Sequence, residues 1–105
     1  MNAQTPINAT ATTAPLDTLY HHTMNPRQTH DTDDIIGLAH SIWTVGLLQN
    51  LSGYTDPAQS GIGVVAGGRR LAALRHIADT PADFTGPSRI DLNALPLITT
   101  DDPAL

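Results

Sequence analysis

The residues best placed to do chemistry stand together in GVVAGGRRLAALRHIA, from Gly63 to Ala78. Three of the five arginines fall within seven residues there, directly after a β-branched apolar run and the pair Gly67-Gly68. Glycines at a strand-to-helix turn let the backbone approach a ligand, and the free N–H groups of the first helical turn can receive an anion. Arg69 and Arg70 at the helix start add charge and paired donors suited to phosphate oxygens. A cation at that end opposes the helix dipole by some 0.3–1 kcal/mol, which a bound anion would relieve. Two readings stand at this point: an anion site, or a plain turn whose arginines are solvated. The pattern has neither the lysine and hydroxyl of a Walker A loop nor the spacing of a dinucleotide fingerprint.

His21, His22, His30, His40 and His76 include no pair at the helical spacing of a zinc motif, so surface histidines and no metal site are expected. Asp31, Asp33 and Asp34 lack the glycine and distal glutamate of a calcium loop and read as a helix cap. Trp43, beside Ile42, reads as a core or rim residue rather than a base-stacking platform.

The elements that must position these residues follow from local pattern. The run DTDD (Asp31 to Asp34) supplies a cap and first-turn charge, and Ile35, Leu38, Ile42 and Val45 follow at helical spacing. This predicts a helix from about Asp34 to Val45, closed by Gly46. A strand-like segment begins at Leu47, Leu48 and Leu51, and SGYTDPAQSG (Ser52 to Gly61) reads as a loop. Ile62 to Ala66 is a buried strand, and Leu71, Leu74, Ile77 and Ala78 mark a second helix. Pro81, Gly86 and Pro87 enforce a loop, and Leu95 to Thr100 forms a last strand. Upstream, Leu16, Leu19 and Tyr20 anchor a short strand or extended arm that turns at Asn25-Pro26. Met1 to Ala14, rich in Thr, Ala and Asn, is expected to be a disordered leader before a single domain spanning 15–105. The fold class is therefore α/β (α+β), a small mixed sheet with packed helices.

Composition limits the function. The chain has 105 residues and a formal charge of -5, all acids being Asp and all cations Arg, so a broadly basic nucleic-acid surface is excluded. The segment Ile62 to Ala78 carries +3 and Asp79 to Leu105 carries -4, a local focus that suits a small anion better than a long polyanion. With no cysteine, disulfides and thiol catalysis are excluded, and a cytoplasmic setting fits. No run approaches the roughly 18 apolar residues of a membrane span, and the N-terminus lacks the regions of a secretory signal.

LAHSIWTVGLLQNL (Leu38 to Leu51), followed some fourteen residues later by VVAGGRRLAALRHI (Val64 to Ile77), resembles the N-terminal domain of the ParB/RepB partition-protein family. The family pattern runs Leu-Ala-x-Ser-Ile, Gly-Leu-Leu-Gln, a hairpin, then Val-Ala-Gly-x-Arg-Arg opening a helix. The segment LDTLYHHTMNPRQTHDTDD is similar to its strand, Asn-Pro turn and acidic helix start. The likeness covers Pro15 to Ile77, and Leu95 to Thr100 loosely.

The resemblance implies a fold shared with sulfiredoxin, without that enzyme's chemistry because the cysteine is missing. It implies binding of CTP with Mg2+ as a switch in plasmid or chromosome partition, with Gln49 in the nucleotide pocket and Gly67, Gly68, Arg69 and Arg70 on the triphosphate. It also implies DNA as a partner through a helix-turn-helix region that this chain lacks, a partition ATPase and a homodimer. Two departures qualify the likeness. Gly68 stands where chromosomal members often carry glutamate, and the following Glu-Asn-x-x-Arg motif has no counterpart. A fragment or minimal relative of a longer protein is expected, one that binds nucleotide while CTPase activity belongs to a complete protein. The alternatives are a ParB-like nuclease or accessory effector, and an interaction domain without nucleotide binding.

Overall fold

The β-branched and leucine-rich runs of this chain are too short to bury themselves alone and must pair into one sheet. A computed structural model describes residues 10–22, 31–55 and 60–100. It contains β1 (Thr10–Ala14), β2 (Leu19–His21), α1 (Thr32–Val45), β3 (Leu51–Tyr54), β4 (Ile62–Ala66), α2 (Gly68–Asp79) and β5 (Leu95–Thr100). The strand order is β1-β5-β3-β4-β2. The β1–β5 and β3–β4 pairs are antiparallel, whereas β2–β4 and β3–β5 are parallel. The small mixed α/β architecture read from the sequence is the one observed.

Period-two burial marks the inward face of β3 and β5. Leu95, Leu97 and Thr99 of β5 point inward, as do Leu51 of β3 and Val64 of β4. Leu71, Ala73, Leu74 and Ile77 of α2 and Ile35, Ala39 and Ile42 of α1 complete one core.

Two expected elements shift. The strand expected from Leu47 is β3, which begins at Leu51 and absorbs Ser52–Tyr54, which pattern alone assigns to a loop. The reason is Gly53: it pairs with Val64 in the ladder, and a Cβ there would lie 2.5 Å from Ile62 Cγ2. A residue that reads as a loop former is used for close packing.

The expected leader is also corrected at its end. Thr10–Ala14 is a strand along β5, with Thr10 opposite Thr99 and Ala14 opposite Leu95. Its three β-branched threonines favour a pleated edge once a partner strand supplies backbone hydrogen bonds. Residues 1–9 lie outside the described residues, as do the expected Asn25-Pro26 turn and His30.

Helix α1 starts at Thr32, slightly earlier than predicted. Asp31 is its cap and accepts from the Asp33 backbone N–H at 2.9 Å, while Gly46 closes it by donating to the Ile42 carbonyl at 2.8 Å. The spacing of Ile35, Leu38, Ile42 and Val45 predicts one apolar stripe along it. The helix packs mainly on α2, and Val45 of that stripe is 53% exposed. Val45 belongs to the final turn, next to the Gly46 break.

Candidate functional site

The site is built where β4 turns into α2. Gly67 has φ 98° and ψ 30°, a left-handed conformation that side chains avoid, and α2 begins at the buried Gly68. A Cβ on residue 67 would lie 2.8 Å from Leu51 Cδ2 and 3.2 Å from Arg70 Nη2. The absence of that atom lets the Arg70 guanidinium fold back over the turn. No side chain caps the start of α2, and the Leu71 N–H is the one that returns to the Gly67 carbonyl, at 2.9 Å. The earlier N–H groups of the turn keep the donor character of an open helix N-terminus.

Arg69 and Arg70 are held differently. Arg69 reaches α1, where its Nε and Nη2 lie 2.8 and 2.7 Å from the same Asp34 Oδ2. Arg70 donates from Nη1 to Gln49 Oε1 at 3.1 Å, while its Nε is buried with no hydrogen-bond partner. An unsatisfied buried guanidinium N–H is costly, and an acceptor entering beside it removes that cost.

These side chains border a cleft of about 260 Å³, near the lower limit of small-molecule pockets. Ser41 and Ile42 of α1 line it together with Leu47, Gln49, Arg69 and Arg70. The structure therefore gathers Gln49, Arg69 and Arg70 around one cleft, with Gly67 and Gly68 forming the turn beneath Arg70. Sequence pattern missed Asp34 as a member of this group, because its position in a capping run explained it already. Leu48, 82% exposed at the cleft's rim, is no part of the strand it was expected to start.

The third arginine of the cluster does not join. Arg75 Nη2 donates to the Leu19 carbonyl at 2.8 Å and borders a separate cleft of about 420 Å³ with Leu16, Asp17, Asp79 and Asn93. Trp43 packs near Phe84, ring centroids 5.7 Å apart, and its indole N–H donates to the Thr85 carbonyl at 3.3 Å. It is a rim residue rather than an open platform. His40 stacks on Phe84 at 4.5 Å, and His76 meets that ring edge-on at 5.8 Å. Among the described residues, no three acidic or histidine side chains cluster as a metal site, and no helix is long and apolar enough to cross a membrane.

The family model of the ParB N-terminal domain matches residues 1–82. The uncharacterized protein YubM of Escherichia coli O157:H7 is 43% identical over 74 residues, which is 67% of this chain and 11% of that protein. The C-terminally truncated chromosome-partitioning protein ParB from Caulobacter crescentus, solved in complex with CTP-gamma-S, superposes with a TM-score of 0.68. It is 23% identical and the match covers 89% of this chain and 45% of the other, a likeness of fold. The chain thus spans about a tenth of the length of one relative and under half of the other.

Proposed function

This chain belongs to the ParB N-terminal domain family, and from that premise we propose that it binds CTP at the Gly67–Arg70 turn as a switch in DNA partition. The observation that carries the reading is Arg70 Nε, buried without a partner beside an uncapped helix start. A phosphate oxygen at that position would accept from Arg70 and from first-turn N–H groups together. The CTP analogue bound by the Caulobacter protein, whose fold is similar, gives the ligand class.

Bound CTP would supply the negative charge, while this chain's residues bind and orient it. Arg70 and the α2 N-terminus would take the triphosphate, and Gln49, fixed by Arg70, would stand close to the base. The donor set offers Mg2+ no protein cage among the described residues. Phosphate oxygens and water would therefore supply most of its coordination, as this ion commonly prefers. The chain binds rather than hydrolyses in this reading, in a cytoplasmic setting. DNA, a partition ATPase and a second copy complete the switch through regions of a longer protein. A nuclease reading requires carboxylates gathered around a metal, and no such gathering among the described residues favours it.

Equilibrium dialysis against each of the four ribonucleoside triphosphates, with and without Mg2+, tests the proposal. Saturable binding with CTP preferred is the expected result. Failure of all four to bind would overturn it.

A further inference from the structure

Two helix N-termini meet at this site with the same preference for negative charge, met by the sequence at one and opposed at the other. At α1, Asp34 in the first turn is favoured by the local dipole. At α2, Arg69 in the first turn is disfavoured by it, and α2 has no acid there to compensate. The chain resolves the conflict across a gap of 35 residues: Arg69 Nε and Nη2 both converge on Asp34 Oδ2. The pair is solvent-accessible, its side chains 41% and 49% exposed, so it is a weak and exchangeable contact.

We propose that Asp34 is an internal competitor for the ligand, an anion supplied by the chain itself that occupies Arg69 until a more highly charged group displaces it. The proposal rests on the reading of the Gly67–Arg70 turn as a triphosphate site. Arg69 borders the cleft, yet its Nε and one terminal nitrogen are committed to a single carboxylate oxygen. Arg70, by contrast, has a donor in reserve. An entering polyphosphate therefore meets an Arg70 with one unpartnered donor and an Arg69 held by a competitor. Displacement is favoured on two counts. A triphosphate brings several oxygens and more charge than one carboxylate, and the released Asp34 remains at the positive end of its own helix. The exchange also unties the first turn of α1 from the first turn of α2.

The alternative role for Asp34 is support: holding Arg69 in the posture that the ligand needs. The two roles predict opposite signs for Asp34→Asn, which keeps the shape and removes the charge. Calorimetric titration of the whole chain at low salt decides, with CTP and inorganic tripolyphosphate as separate probes. Competition predicts that Asp34→Asn tightens both ligands about two- to fivefold, the size of an exposed ion pair. Asp33→Asn, a first-turn aspartate with no bond to Arg69, controls for general charge and should change affinity less than about 1.5-fold. In an Arg69→Ala background the gain from Asp34→Asn should fall to that control level.

Unchanged or weaker binding by Asp34→Asn, or an equal gain from Asp33→Asn, overturns the competitor role. If the parent still binds CTP in that case, the nucleotide reading survives alone. If neither parent nor variant binds either probe, both fall together.

Discussion

Arg70 bridges the two halves of the cleft, its Nη1 donating to Gln49 Oε1 at 3.1 Å while its Nε stays buried and unpartnered against the Gly67 turn. One guanidinium thus orients an amide and retains a donor for an anion. With Oε1 engaged, the amide nitrogen of Gln49 is the end left to meet a ligand.

Arg70→Ala is expected to remove a charge-assisted contact of roughly 1.5–3 kcal/mol, weakening triphosphate binding by about ten- to a hundredfold. Circular dichroism should show the fold intact. Gln49→Ala should cost less and narrow the preference for CTP over UTP rather than lower phosphate affinity. Titration with CTP, UTP and tripolyphosphate separates these effects. An Arg70→Ala variant that binds as tightly as the parent would falsify the assignment.

Gly67 should tolerate no side chain. Gly67→Ala places a Cβ in a left-handed conformation and within 2.8 Å of Leu51 Cδ2, a side chain that is itself fully buried. Strain of this kind costs of order 1–3 kcal/mol, read as a lower urea midpoint at unchanged slope. Gly37, where nothing lies within 4 Å of an added Cβ in the middle of α1, supplies the contrast. There Gly37→Ala should raise stability by about 0.5–1 kcal/mol through helix propensity. Equal effects at the two positions would show that backbone conformation is not what selects glycine at 67.

The features legible in sequence were those that neighbours in the chain decide. The Asp31 cap, the passage from β4 through Gly67 into α2, and the strand Leu95–Thr100 each carry a local signal, and each is found. What escaped depends on distant partners. Thr10–Ala14 becomes a strand only because β5, at the far end of the sequence, lies beside it. Asp34 reads as a first-turn acid until α2 brings Arg69 to it. Periodicity placed Val45 on the apolar face of α1 but could not say that cover ends before the last turn. Gln49 had no local signal and was named only by resemblance.

The two ends of the α1 stripe should therefore respond differently to truncation. Ile42, 3% exposed, sits in the common core, so Ile42→Ala should cost about 2–5 kcal/mol. Val45→Ala, at a half-exposed position, should stay within about 0.5 kcal/mol. Denaturant titration of both variants checks the contrast, and similar losses would mean that Val45 is covered in solution.

Removal of Met1 to Ala14 should lower the melting temperature. The cut takes away all five residues of β1, the antiparallel backbone pairing to β5 from Thr10 to Ala14, and the buried methyl of Ala14. It also exposes β5 as a new sheet edge, with inward-facing Leu95 and Leu97 losing their cross-strand neighbours. Loss of the cross-strand contacts between β1 and β5, at roughly 0.2–1 kcal/mol each, is expected to cost of order 1–2 kcal/mol in all. For a domain of this length that corresponds to a fall of roughly 4–16 °C. The informative comparison is removal of residues 1–9 alone, which leaves β1 in place and isolates the contribution of the strand. A melting temperature unchanged by the longer cut would show that β1 adds nothing to the stability of the sheet.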